Sequence, residues 1–411
     1  MAGEFKAPRG TSDLLPGPSE GHRLVEATFE GIVRSAGFGL IETPIFEDTT
    51  LFERGVGRST DIVRKEMFTF EDKGGRSLTL RPEGTAPICR AYVEHGMSRL
   101  PQPVRLAYSG PFFRHERPQA GRYREFHQVG IEVIGSASPI ADAEAISLLD
   151  YLLTELEVPG LELRIGSLGS PTAREGYLVT LRDFLESRAD ELSEDVRERI
   201  DTNPLRAFDS DDEGTTKVME EAPLLLENLD PEDLEHFEEV KDLLDAAGVV
   251  YRVDPKLVRG LDYYTRTVFS FTCDRLGAQS EIGGGGRYDG LVAQIGGPDS
   301  PAVGWAAGVE RILLALDRET GGPDLDLFIV WSGGDQVGRV PALAREMRAE
   351  GLAVGFDLAG RNLKGQLKQA DRSGAGWALI LLEDGTAELK QMASGEQRAV
   401  EPSEVPALLT G

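Results

Sequence analysis

Cysteine is nearly absent: the 411 residues hold two, Cys89 and Cys273, far apart and without CxxC spacing. Neither a disulfide framework nor a cysteine zinc site is encoded, which fits a reducing cytoplasm. Long apolar runs are missing as well. Residues 1–16, MAGEFKAPRGTSDLLP, carry charges and prolines where a signal peptide needs an apolar stretch, and nothing later approaches a membrane span. A soluble, unprocessed chain with no membrane partner is expected. Basic charge is scarce too. Lys and Arg number 44 against 70 Asp and Glu, for a net charge of −26. That balance disfavours non-specific binding of nucleic acid or anionic membranes, so any polyanion must meet a local basic patch. There is no internal repeat and no low-complexity tract.

What is present reads as a large catalytic body with smaller units attached, since the length exceeds that of one ordinary domain. Leu24, Val25, Phe29, Ile32 and Val33 recur at helical spacing and stop at Gly37, which predicts an amphipathic opening helix. A strand near Leu40 to Phe46 should follow. Short β-rich runs (RSLTLRP, PVRLAYSG, YREFHQVGIEVIG) then dominate, with helices after Pro82 and across Asp142 to Glu155. The fold class is therefore α+β with an antiparallel sheet. From about Ser170 to Ala247 the composition turns charged and helical, including the run DSDDEG, as an inserted unit would. RETGGPDL, Arg318 to Leu325, has the composition of a linker. Beyond it DLFIVWS, LAVGFDL and WALILLE alternate with helical segments, the pattern of a small α/β domain.

Several segments carry chemistry. In YREFHQVGIEVIG, strand alternation puts Gln128, Gly130 and Glu132 on one face and Val129, Ile131 and Val133 on the other. The missing side chain at Gly130 predicts room for something small to lie against the sheet. The same parity pairs Phe112 with Arg114, just before an arginine-rich loop. EIGGGGRYDGLV lacks the lysine and the serine or threonine of a P-loop, so its glycines mark a close approach of backbone to a ligand or to another strand. Arg311 opens an apolar helix, where the dipole opposes a cation unless it serves an anion, and this makes it a candidate phosphate ligand. LVRGLDYYTRTVFSF, residues 257–271, sets Arg259, Gly260 and twin tyrosines on an expected strand. Arg266 is open between a structural ion pair and a role in the site.

Taken in order, APRGTSDLLP, LTLRPEGTAP, SGPFFRHERPQAGRYREFHQVGIEVIG, LVRGLDYYTRTVF, GGGGRYDGLV and AVGWAAGVERIL resemble histidyl-tRNA synthetase, a class II aminoacyl-tRNA synthetase. NPLRAFD, APLLLENL and GRNLKGQLKQADRSGA extend the resemblance over nearly the whole chain. It implies a catalytic domain of six or seven antiparallel strands in two parts, residues 1–169 and 248–320. A helical insertion at 170–247 and an anticodon-binding domain at 326–411 complete it, in a homodimer. The implied reaction activates L-histidine with ATP, with Mg2+ carried by the nucleotide, and passes the histidyl group to the 3′ end of histidine tRNA.

The resemblance also implies roles for individual residues. Arg259 and Arg114 would hold the α-phosphate as catalytic residues, and Arg311 the γ-phosphate. Glu83 and Thr85 would bind the α-amino group of histidine, with Gln128, Glu132, Tyr263 and Tyr264 completing the pocket. Arg117 and Gln119 would contact the extra 5′ guanylate of the tRNA. Arg361, Lys364, Lys368 and Arg372, spaced by three and four, would form one basic helix face for the anticodon stem. Ser270 departs from the family, standing where its VFE sequence carries a glutamate. A related regulatory subunit of ATP phosphoribosyltransferase is the alternative reading, but it lacks the C-terminal domain and degrades the arginine–tyrosine motif, both kept here. Against a class II enzyme for another amino acid stand the paired tyrosines and EFHQ.

Overall fold

The computed structural model describes residues 5–57, 60–317 and 325–410. The expected linker lies, except for Leu325, outside the described residues. The chain divides into two compact units, Met1–Asp13 with Gly21–Arg318 and Leu14–Glu20 with Glu319–Gly411.

In chain order the larger unit has strands β1 Gly39–Leu40, β2 Phe46–Asp48, β3 Thr69–Glu71, β4 Ser77–Leu80, β5 Val104–Phe113 and β6 Glu125–Ile134. They continue as β7 Leu161–Ser167, β8 Arg252–Val253, β9 Thr265–Cys273, β10 Glu281–Arg287 and β11 Ala302–Gly308. One sheet takes the order β1-β5-β6-β11-β10-β9-β7-β8, and β2-β4-β3 form a second, small one. The six central strands of the large sheet pair antiparallel throughout. Its count reaches eight, beyond the expected six or seven, because two-residue segments add a parallel rung at each edge.

One face of this sheet is apolar core. Val129, Ile131 and Val133 of β6, Phe269 and Phe271 of β9 and Trp305 of β11 pack against helices Pro18–Ser35, Pro139–Glu155 and Pro231–Ala247. In the first helix Val25, Phe29, Ile32 and Val33 are buried, while Leu24 is 42% exposed. At 3.6 residues per turn, Leu24 falls roughly 100° off that stripe. Gly37 adopts φ +77°, the left-handed conformation that closes a helix. The strand expected over Leu40 to Phe46 is two short ones, since Pro44 between them offers no N–H to a ladder.

Opposite the core, helices Pro171–Ser187 and Glu213–Glu220, from the stretch whose composition suggested an insertion, bring Leu181, Leu185 and Val218 into a second cluster with Tyr263 and Tyr264. The smaller unit has β12 Leu327–Trp331, β13 Val354–Phe356, β14 Trp377–Leu381, β15 Ala387–Gln391 and β16 Gln397–Ala399, ordered β13-β12-β14-β15-β16. Leu327 and Ile329 face helix Val340–Ala349, while Phe328 and Val330 face the side of helix Leu363–Arg372. A sheet covered on both faces explains why DLFIVWS reads as an unbroken apolar run.

Arg287, at the end of β10, and Asp142, on helix Pro139–Glu155, form an ion pair with both side chains fully buried. Arg287 also donates to the carbonyls of Ser136 and Ser138, and His236 of helix Pro231–Ala247 approaches Asp142 at 3.4 Å. Removing Asp142 leaves the buried Arg287 guanidinium with only Asp289, at 3.1 Å, as a carboxylate partner among the described residues. Asp142→Ala should lower unfolding free energy by about 3–5 kcal/mol, read as a lower denaturation midpoint. A midpoint equal to that of the wild type would contradict this account.

Candidate active site

The second face of the large sheet is built around absent side chains. Strand register sets Tyr108, Gly130, Ala306, Gly284 and Ser270 in one row across β5, β6, β11, β10 and β9. The next row holds Glu132, Gly304 and Gly286. A Cβ at Gly284 would come within 2.9 Å of the Arg259 guanidinium, and one at Gly286 within 3.0 Å of the Tyr264 ring. A Cβ at Gly304 would strike the Glu132 carboxylate at 1.8 Å. The glycines expected to admit a ligand or a strand thus belong to a central strand, and the space above them is occupied by functional side chains. Gly130 corrects the expectation of room for a ligand. A Cβ there would meet the Tyr108 ring at 2.4 Å, so the tyrosine fills that space.

Arg259 to Tyr264 do not lie on a strand, contrary to the sequence expectation: they form a turn before β9. On a strand, adjacent tyrosines would point to opposite faces. The turn brings both to the same side, with ring centroids 4.6 Å apart. Arg266 resolves to the structural alternative. With φ +44°, it donates from Nε to Asp233 at 2.9 Å and from Nη2 to Glu232 at 2.6 Å, tying β9 to helix Pro231–Ala247.

A cleft of about 450 Å³ opens over this face, lined among others by Glu83, Thr85, Tyr108, Arg114, Gln128, Arg259, Tyr263, Tyr264, Glu281 and Arg311. Glu83 accepts from the backbone N–H groups of Thr85 and Ala86 at 2.8 and 2.9 Å, which caps helix Thr85–Glu94. Burial pushes its carboxyl up despite those bonds. Glu132 does not line the cleft. It lies one layer below, fully buried, and accepts from the Thr85 hydroxyl at 2.7 Å and the Tyr288 hydroxyl at 2.5 Å. Burial outweighs these bonds and pushes Glu132 up to about 8.

Three arginines converge from different elements. Arg114, just past β5, donates to the Pro82 carbonyl at 2.9 Å and lies over the Phe126 ring, while its parity partner Phe112 is core. Arg311, in the first turn of helix Val309–Leu316, donates to the carbonyls of Gly121 and Glu281 at 3.0 and 2.6 Å. Arg259 pairs with Glu281 at 2.9 Å, and Ser270 reaches the same carboxylate oxygen at 3.1 Å. Among the buried atoms of cleft residues with no hydrogen-bond partner among the described residues are Gln128 Oε1, Tyr108 Oη and Arg259 Nε. Such atoms are costly unless a ligand completes them. Tyr108, Tyr288 and Glu281 escaped sequence reasoning. The position of Tyr288 two residues past the glycine run was the available signal.

Known proteins match this chain over nearly its whole length. Residues 10–312 match the family model for histidyl-tRNA synthetase, and residues 327–411 match that for an anticodon binding domain. This chain belongs to the histidyl-tRNA synthetase family. The histidine–tRNA ligase of Desulforudis audaxviator is 48% identical over 405 residues, covering 97% of this chain and 96% of that protein. The solved apo histidyl-tRNA synthetase of S. aureus superposes with a TM-score of 0.83 at 35% identity, covering 99% of this chain and 100% of the other. A Bacillus halodurans protein described as an ATP phosphoribosyltransferase regulatory subunit/histidyl-tRNA synthetase covers 93% of this chain and 99% of its own. At 24% identity and a TM-score of 0.69, it shares the fold.

The residues that the synthetase resemblance pointed toward tRNA are placed more loosely. Arg117 and Gln119 are exposed, outside the cleft lining, with Gln119 bridged to Arg122. Lys364, Lys368 and Arg372 are exposed on helix Leu363–Arg372 and make no ion pair among the described residues. Arg361 is a correction to the single basic face. It precedes the helix, whose N-cap is Asn362, and its guanidinium is bound to Asp357. Among the described residues, no helix is long and apolar enough to cross a membrane.

Glu132 generates a pH prediction. Its folded pKa lies above the ordinary value of 4.5, so between about 4.5 and about 8 the folded state holds a proton that the unfolded state has lost. Stability should therefore fall as pH rises through that window. Glu132→Gln cannot ionise and should escape this loss. The stability difference between the two should shift in favour of the variant by up to about 1.4 kcal/mol per pH unit, measured by denaturation at several pH values. Parallel pH profiles would show that burial does not govern this carboxyl.

Proposed function

We propose that this chain is a histidine–tRNA ligase, which activates L-histidine with ATP and transfers the histidyl group to histidine tRNA. The observation that carries the reading is the cleft itself. Arginines 114, 259 and 311 enter it beside the carboxylates of Glu83 and Glu281, with Gln128, Tyr108 and Arg259 each offering an unpaired polar atom. A zwitterionic amino acid and a polyphosphate together supply the charges and hydrogen bonds that such a site lacks. Membership of the family and the curated relatives that carry the ligase name support the same conclusion. The regulatory reading is the weaker one, because curated relatives about 48% identical over nearly the whole chain carry the ligase name.

Histidine's carboxylate is already a nucleophile, so its attack on the α-phosphorus needs alignment more than a base. Arg259 and Arg114 hold the α-phosphate and stabilise the charge that develops on its oxygens, while Arg311 holds the γ-phosphate. ATP enters as a substrate and brings its own Mg2+. Glu83 and Thr85 receive the α-amino group. Gln128 and the two tyrosines present polar atoms and ring faces to the imidazole, and Glu132 fixes Thr85 and Tyr288 from beneath. The adenylate then yields its histidyl group to the terminal ribose of the tRNA. In this reading Arg117 and Gln119 meet the 5′ guanylate, and the enzyme works as a cytoplasmic homodimer.

Histidine-dependent ATP–pyrophosphate exchange tests the activation step. Arg259→Ala should lower its rate by roughly 10²- to 10³-fold with the fold intact, and near-normal exchange would remove Arg259 from the mechanism. On the RNA side, Lys364→Ala/Lys368→Ala should leave exchange unchanged while weakening tRNA binding and reducing its salt slope by roughly one unit for each phosphate that a lysine had neutralised. Unaltered binding and an unaltered slope would take the helix Leu363–Arg372 out of the interface.

A further inference from the structure

Arg259 must keep its aim while ligands come and go. Among the described residues its one ion-pair partner is Glu281, a residue whose place depends on an irregularity in the sheet. Between Glu281↔Thr272 and Gly283↔Phe271, β10 advances two residues while β9 advances one. In regular register, alternation would put Glu281 on the core face with Gly283, beside Phe269 and Phe271. The bulge turns it to the face of Gly284 and Ser270, where the Arg259 guanidinium lies.

We propose that Glu281 is a positioning residue for the activation step. Its carboxylate holds Nη1 of Arg259 at 2.9 Å over the open backbone of Gly284. Its backbone carbonyl accepts from Nη1 of Arg311 at 2.6 Å, so one residue sets the spacing of two phosphate-directed arginines. Ser270 Oγ donates to the same carboxylate oxygen at 3.1 Å and fixes its rotamer. The tether leaves Nε and Nη2 of Arg259 for an anion, and Nε is buried without a partner among the described residues. A carboxylate beside a phosphate site opposes the ligand's charge, so its benefit lies in orientation. This inference rests on the assignment of Arg259 to the α-phosphate.

Pyrophosphate exchange by the full-length protein tests it, with kcat and the KM for histidine measured separately and melting followed in parallel. Glu281→Ala should lower kcat by about 10- to 100-fold, the loss that follows when a partner orienting a metal ligand is removed, with histidine KM changed by less than about twofold. Glu281→Gln keeps one acceptor and should retain more activity than Glu281→Ala. Ser270 stands opposite Gly284, within reach of the same guanidinium, so Ser270→Glu/Glu281→Ala should recover about 10-fold of the loss. A kcat within about twofold of wild type in Glu281→Ala overturns the proposal, as does a folded double variant no faster than the single one. If Glu281→Ala fails to fold, an unchanged kcat in Glu281→Gln decides against it. Absence of histidine-dependent exchange in the wild type would instead sink the ligase reading.

Discussion

Polar side chains can stand on the ligand face of this sheet because neighbouring strands offer no Cβ where they lie. Tyr108 covers Gly130, Glu132 covers Gly304, Tyr264 covers Gly286 and Arg259 covers Gly284. Each of these groups thereby has rigid backbone beneath it. The opposite face of the same strands is packed with Phe269, Phe271, Trp305, Ile131 and Val133, so the floor cannot shift to accommodate a misplaced group. Catalytic geometry and core packing are the two faces of one set of strands.

Electrostatics follow from that floor. In a protein of net charge −26, the cleft gathers three arginines, and each is held by a carbonyl or a carboxylate before any ligand arrives. Preorganised cations stabilise developing phosphate charge without reorienting during the reaction. The acids beneath them are treated differently. Glu83 and Glu132 are buried, and burial raises both. Glu281 is held below the ordinary carboxylate range despite its desolvation, because Arg259 and Arg311 stand beside it.

Much of the site was legible because its motifs are local. Glu83 and Thr85 are two residues apart, and the carboxylate caps the helix that the threonine begins. Arg311 opens its helix where sequence placed it. Reasoning from periodicity failed where the chain leaves regular structure. The Arg259–Tyr264 turn looked like a strand because it runs straight into the β-rich TRTVFSF of β9, and Arg361 looked helical because spacing alone cannot show that Asn362 caps the helix after it.

The apolar face of each central strand, the helices of the insertion, and the residue types that a histidine-activating site requires are all written in the amino-acid order. They follow from alternation, helical period and short motifs, which act within a few residues. Folding in three dimensions was needed to show that Tyr108 fills the space above Gly130, that Glu132 works from beneath the cleft, and that Arg266 belongs to helix Pro231–Ala247. It alone brought Glu281 to Arg259, through a bulge that shifts one residue of register. Register across strands depends on contacts between segments far apart in the chain, and no local pattern carries that information.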